Sequence, residues 1–395
     1  RSTVPERRRS RTKHPIRRHN HIVNNRTYAT RIKDLQRLEA GNEVDCVALM
    51  PGANLRYFTG LSSHVSERPM VGLVLAKGQP ALILPALEAP AAQSHLPEDF
   101  LLFPYRDEEG HEHAFFRAAD ELGLEGKSIG VEYLAMRLLE SRRLEQAAPV
   151  CQLVAVEPWL PKLRMSKDDE EIAFMRRAVA IAEEAMQALL DAGAIRAGRT
   201  ELQVAADLQV AMLRAGSQGE AFSPIVVAGP NSAAPHASPS DRLMAEGDLV
   251  IIDWGAQYEG YRSDITRTFV IGEPTAEMLR MHDAVLAANQ AGRLAVRPGL
   301  PCQEVDRVAR RAITLAGLGE YFIPRTGHGL GLETHEPPYL VEGNLDLLAP
   351  GMTFTVEPGV YVPGVGGVRI EDDVLVTEDG SETLTGLERG LVSLG

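Results

Sequence analysis

Cysteine is scarce in this chain. Three occur in 395 residues, Cys46, Cys151 and Cys302, far apart and without a CxxC pair. That set offers neither a disulfide framework nor a zinc-finger or redox motif, and it fits a reducing, cytoplasmic setting with each thiol as a small core residue. Long apolar runs are missing too. No stretch reaches the roughly 18 residues that a membrane span needs, so no membrane partner is expected. Positive charge is in deficit, with 41 Lys and Arg against 54 Asp and Glu and a net charge of −13. A phosphate backbone calls for a basic face, so nucleic acid is not expected as a partner.

The average hides an asymmetry. Residues 1–33 carry eleven Lys or Arg and one acid, Glu6, which leaves −23 for the remainder. The run Arg7-Arg8-Arg9-Ser10-Arg11 has no apolar periodicity and no apolar signal region, so residues 1–30 read as a basic flexible arm. Residues 31–155 read as a small α/β domain. Its buried strands are expected at 46–50, 71–76 and 81–84, its helices at 111–123 and 132–147. Pro158 and Pro161 mark a linker. From 156 to 395, Asp168 and the Thr200–Gln203 capping box open two helices. Strands near 224–229, 248–254 and 262–271 follow. Helices near 275–292 and 301–317 come next, then strands near 321–328, 352–361 and 366–376. Two helix-helix-strand-hairpin blocks in succession imply an internally duplicated α+β domain.

The chemistry lies in the hairpins. Asp253 ends the apolar strand Leu249-Val250-Ile251-Ile252, and the chain returns past Tyr258-Glu259-Gly260 to Asp264. The two aspartates are expected opposite or nearly so, on one face. Glu357 and Glu371 repeat the device about a midpoint at Gly364, in the turn Pro363-Gly364-Val365-Gly366-Gly367. Buried facing carboxylates repel unless a cation lies between them. His328, in Gly327-His328-Gly329, adds an imidazole among glycines that admit close backbone approach. Four carboxylates and one imidazole suit two divalent ions about 3.5–4 Å apart, Mn²⁺ or Co²⁺ first and Zn²⁺ as a further option.

The motifs IDWGAQYEGYRSDITRTF, GHGLGLETHEPP, TVEPGVY and GGVRIEDD resemble those of the pita-bread metallopeptidases, a family that includes prolidase, aminopeptidase P, methionine aminopeptidase and the metal-free creatinase. The resemblance covers about 160–390, with ligand spacings of 11, 64, 29 and 14. Residues 53–60, ANLRYFTG, resemble the creatinase-like N-terminal domain of prolidases and aminopeptidase P. The resemblance implies a duplicated pita-bread domain with Asp253, Asp264, His328, Glu357 and Glu371 as metal ligands, Asp264 and Glu371 bridging. It implies hydrolysis of the bond before proline, with Glu357 moving the proton. His236 and His335 match substrate-binding histidines, Arg369 an arginine near the substrate or the second histidine, and Tyr361 a tyrosine of the site. A homodimer is expected, in which the region around His64 and Arg68 of one subunit caps the partner's active site and these two residues bind the end of the substrate. The substrate expected is an Xaa-Pro dipeptide, as for a prolidase. The alternatives are an aminopeptidase P acting on longer Xaa-Pro peptides and, remotely, a non-catalytic binding protein on the same fold. No Lys or Arg occurs between Arg325 and Arg369, so a cationic clamp for a dipeptide carboxylate must be Arg369 or come from elsewhere.

Overall fold

The computed structural model describes residues 25–97 and 99–395, so most of the expected basic arm lies outside the described residues. Its last positions do not: a helix spans Asn25–Gly41 and takes in residues 25–30. The chain divides into two compact units. The first comprises residues up to 129 and 137–152, the second 130–136 and 153–395.

In the first unit, β1 (Cys46–Leu49), β2 (Val71–Leu75), β3 (Ala81–Pro85), β4 (Leu101–Tyr105) and the start of β5 (Ser128–Val131) lie in the spatial order β4-β3-β2-β1-β5. β1 through β3 pair antiparallel, and β4 joins β3 in parallel. Four of the five residues of β2 and all of β1 and β3 are buried, as their unbroken apolar character demands. Cys46 is among them, whereas Cys151 is half-buried, at the edge rather than in the core. The helix expected over 132–147 forms only at Leu138–Ala147. Tyr133, Leu134 and Leu138 mimic a helical stripe in the sequence but are exposed, so no buried face supports the earlier turn.

In the second unit, helices Asp169–Asp191 and Ala276–Ala295 are each followed by a shorter partner, Glu201–Ala215 and Cys302–Leu315. The first pair opens with the capping boxes at Asp168 and Thr200. β6 (Gln152–Ala155) leads into the unit. Its first sheet holds β7 (Ile225–Ala228), β8 (Leu249–Trp254), β9 (Ile265–Ile271) and β10 (Val392–Leu394), in the order β10-β9-β8-β7. The second is built from β11 (Gly327–Gly329), β12 (Glu336–Leu340), β13 (Thr353–Val356), β14 (Asp372–Val376) and β15 (Ser381–Thr383), in the order β12-β11-β13-β14-β15. Two short ribbons extend the hairpins: Gln257–Tyr258 with Tyr261–Arg262, and Gly359–Val362 with Gly366–Arg369. The duplicated helix-pair and sheet plan is the α+β architecture expected.

Apolar side chains from the first helix pair, including Ile181, Met186 and Leu208, pack on Ile252, Trp254 and Phe269. The fully buried Trp254 donates its indole N–H to the carbonyl of Ala182 at 2.9 Å, which locks β8 to the long helix. From the second pair, Cys302 and Val305 pack on Phe354, Val356 and Val374. The strand expected over 321–328 is mostly absent. Arg310 instead donates to the carbonyls of Phe322 at 2.7 Å and Pro324 at 2.9 Å, so these groups need no ladder. Among the described residues, no helix is long and apolar enough to cross a membrane.

Candidate metal centre and substrate cavity

Three of the four acids stand where strands break. Continuous strands are expected across 262–271, 352–361 and 366–376, yet the ladders lapse at Ser263-Asp264, Glu357-Pro358 and Ile370-Glu371. At those points the backbone bonds across to other strands. The amide of Glu371 donates to the carbonyl of Thr266 at 3.1 Å, and that of Glu357 to the carbonyl of Thr326 at 2.7 Å. The amide of Asp264 donates to Asp373 Oδ2 at 3.1 Å. The breaks stitch the two halves together and turn the carboxylates toward a common centre.

Register explains the rest. The pairs Val356 with Asp372 and Gly359 with Arg369 are symmetric about Gly364, which keeps Glu357 and Glu371 across from one another as expected. The other hairpin turns at Glu259 (φ 48°) and Gly260 (φ 85°), a two-residue connection with both central residues left-handed. Asp253 therefore faces Thr266, and Asp264 lies two residues along on the same face, a diagonal rather than a direct neighbour.

His328 closes the cluster. Its Nδ1 lies 3.1 Å from the carbonyl oxygen of Gly329, which can only accept, so Nδ1 carries the proton and Nε2 presents its lone pair. Nε2 is 3.3 Å from Glu357 Oε1 and 3.6 Å from Asp264 Oδ2. Burial holds the imidazole pKa down to about 3, so it stays neutral, the form a metal ligand requires. Gly327 and Gly329 are obligatory. A Cβ at Gly327 would meet the Thr355 carbonyl oxygen at 1.9 Å, and one at Gly329 the Pro337 carbonyl oxygen at 2.3 Å.

The acids are under strain without a cation. Burial, then the charges of Glu371 and Asp253, push the Asp264 carboxyl well above its ordinary range. Burial, then Glu357 and Asp253, do the same to Glu371, and burial raises Glu357 to about 7. Among the described residues, Asp253 Oδ1 is buried without a hydrogen-bond partner. Donor atoms of Asp264, His328 and Glu371 all lie within 4.8 Å of one another. A mutually repelling oxygen-rich set with an orphaned carboxylate oxygen and a neutral imidazole fits a divalent cation.

These five side chains line one cavity of about 290 Å³ with His236, His335, Tyr361 and Arg369. His335 meets the His328 ring edge-on at 4.1 Å between centroids. Burial, then Arg325 nearby, lowers its pKa. His236 is exposed at the rim, beside Pro235, whose carbonyl accepts from Arg369 at 3.2 Å. Arg369, expected near the substrate or the second histidine, lines the same cavity as His335 and is hydrogen-bonded into the acid cluster. Its Nη2 reaches Asp253 Oδ2 at 2.5 Å, Nη1 the Tyr361 hydroxyl at 2.7 Å and Nε the Thr266 hydroxyl at 3.1 Å. The Thr266 hydroxyl in turn donates to Glu371 Oε2 at 2.5 Å.

His64 and Arg68 belong to the first unit. His64 is exposed, while Arg68 is held bidentately by Asp107 and also contacts Glu67 at 2.8 Å. One cavity residue without an assigned role in the sequence reading is Arg262. Its position two residues before Asp264 puts it on the same face of an extended strand, and that alternation is the signal that finds it.

The profile of metallopeptidase family M24 matches residues 173–378, and that of the creatinase/prolidase N-terminal domain matches 31–166. The chain belongs to metallopeptidase family M24. It is accordingly a metallopeptidase. It is 36% identical over 355 residues to an Xaa-Pro dipeptidase of Pyrococcus horikoshii, covering 89% of this chain and 95% of the relative. The crystal structure of a P. horikoshii dipeptidase superposes with a TM-score of 0.87 at 37% identity, covering 92% of this chain and 100% of that one. An X-Pro aminopeptidase of Thermotoga maritima superposes at 0.81 with 32% identity, covering 92% and 99%.

Proposed function

We propose that this M24 enzyme hydrolyses the peptide bond before proline in Xaa-Pro dipeptides, with two divalent ions, Mn²⁺ or Co²⁺, held by Asp253, Asp264, His328, Glu357 and Glu371. Asp264 and Glu371, whose donor atoms lie within 4.8 Å of one another and of His328, would act as ligands at the centre of the set. The observation that carries this reading is the convergence of all five side chains on one cavity with the two histidines beside them. Bound there, the ions polarise the scissile carbonyl and acidify water.

The chain's own residues supply the rest. Glu357, on the cavity wall beside His328, is placed to accept the proton of the attacking water and return it to the proline nitrogen. That return matters because an imide nitrogen carries no hydrogen and leaves poorly unprotonated. His335 and His236 donate hydrogen bonds to the substrate carbonyl as negative charge develops on its oxygen. Arg369 holds Asp253 and Tyr361 in place, which makes it a positioning residue. Ala221, Phe222, Ile225, Pro235 and Pro324 give the cavity an apolar wall suited to a pyrrolidine ring. At about 290 Å³ the cavity is at the small end of the roughly 300–1,000 Å³ usual for small-molecule sites, which favours a short substrate.

Aminopeptidase P activity is the second reading, favoured by the likeness to the Thermotoga enzyme. Mn²⁺-loaded protein assayed on Xaa-Pro and on Xaa-Pro-Xaa separates the two: release of free proline from the dipeptide supports the first, exclusive trimming of the tripeptide the second. A cytoplasmic homodimer is part of the same proposal, tested by mass measurement in solution.

A further inference from the structure

A dipeptidase must recognise the free carboxylate on the substrate's proline, and that calls for a cation facing the cavity. Two arginines line it, Arg262 and Arg369. Arg369 is spent: its guanidinium nitrogens already meet Asp253, Tyr361, Thr266 and Pro235. Arg262 is different. Its Nη1 donates to the Ala221 carbonyl at 2.9 Å and the Thr334 hydroxyl at 2.8 Å, both neutral acceptors. Among the described residues, its Nε is buried with no hydrogen-bond partner and the side chain makes no ion pair.

The nearby glutamates do not pair with it. The carboxylates whose field reaches Arg262 are Glu333 and Glu336. Both are matched elsewhere: Arg164 contacts Glu333 and reaches Glu336 at 2.6 Å, and Lys167 reaches Glu336 at 2.7 Å. Two cations thus face two anions, so neither glutamate is left to pair with the half-buried Arg262. Such a group is costly unless a ligand supplies the anion. It is also well anchored. The Arg262 amide donates to the Gly331 carbonyl at 2.9 Å, and the strand pairs Arg262 with Gln257. The apolar wall of Ala221 and Phe222 adjoins it, so a pyrrolidine ring on that wall would direct its carboxylate to the guanidinium.

We propose that Arg262 is the specificity-determining cation that receives the free carboxylate of a substrate ending in proline. Its Nη1 fixes the guanidinium plane against Thr334 and Ala221, and the Nη2 N–H groups bind the carboxylate oxygens. The assignment rests on the dipeptidase reading. Arg325 is the competing cation: its guanidinium stacks 4.6 Å from the Tyr339 ring centroid, near His335 but not on the cavity wall.

The test compares Mn²⁺-loaded wild type, R262Q, R262K and R325Q on an Xaa-Pro dipeptide and on the same dipeptide with a C-terminal amide. Calorimetric binding of L-proline and of prolinamide gives a readout independent of turnover. The expected result is a KM for the dipeptide raised about 10- to 100-fold in R262Q, the range of one charge-assisted hydrogen bond. R262K should recover part of it, kcat should change little, and the amide should be handled as by wild type. Proline affinity should fall in parallel. Two results overturn the assignment: R262Q keeping the preference for the free acid, or R325Q losing it instead. A wild type indifferent to the carboxylate would sink the dipeptidase reading itself and Arg262 with it.

Discussion

Removing Arg369 exposes how the acid cluster is held. The side chain is 4% exposed and donates to Asp253, Tyr361, Thr266 and Pro235. R369A takes away the partner of Asp253 Oδ2, and Oδ1 already has none, so a buried carboxylate is left wholly unpaired. Deleting one member of a buried ion pair costs about 3–5 kcal/mol. In a domain of this size each kcal/mol lowers the melting temperature by about 2–4 °C, so a fall of about 6–20 °C is expected in chelator. A divalent ion supplies Asp253 with a new partner and should recover a substantial part of that loss, more than it adds to wild type. The assay is a pair of melting curves, with chelator and with Mn²⁺, for wild type, R369A and R369K. The lysine variant, with one donor group where arginine has a fork, should fall between the others. An R369A protein melting within about 2 °C of wild type in chelator, on the scale of a single kcal/mol, would show that Asp253 does not depend on Arg369. So would a gap that Mn²⁺ leaves unchanged.

D264N should stabilise the metal-free protein while abolishing saturable Mn²⁺ binding in a calorimetric titration, because the amide relieves repulsion but no longer offers an anionic ligand. The folded Asp264 carboxyl is raised, so below the unfolded pKa near 4 both states keep the proton and the variant gains nothing. As pH rises above it, the unfolded chain ionises first, so the advantage of D264N in chelator should widen through neutrality. A constant or shrinking gap contradicts this. G329A drives a Cβ to 2.3 Å from the Pro337 carbonyl oxygen. Overpacking costs about 1–3 kcal/mol in ordinary cores, and here it should also displace His328 and weaken metal binding more than stability. T266V removes the hydroxyl that links Arg369 to Glu371 and should cost about 1–2 kcal/mol, read from melting curves in chelator.

Much of the site is legible because hairpin symmetry is an arithmetic property of sequence. Glu357 and Glu371 fall across from one another once the turn is centred on Gly364, and the observed pairs keep that centre. The Asp253 hairpin slips by two residues because its tight turn sits at Glu259-Gly260, one residue later than the acid midpoint implies. What was hidden is non-local. That strands lapse at Asp264, Glu357 and Glu371 follows from bonds to Asp373, Thr326 and Thr266, none adjacent in sequence. Arg310 replaces an expected strand by capping two carbonyls. That Glu336 is not left to pair with Arg262 emerges only when Arg164 and Lys167 are seen to claim it. Apolar letters misled at Tyr133, Leu134 and Leu138, where exposure, not packing, is the outcome.

The central claim is that these buried carboxylates and one neutral imidazole are arranged to hold divalent cations for hydrolysis. Elemental analysis of the dialysed protein, alongside Xaa-Pro hydrolysis before and after chelation, tests it most directly. Two divalent ions per chain are expected, with activity lost on their removal and restored by Mn²⁺ or Co²⁺. Full activity in a thoroughly chelated protein with no bound metal would contradict it.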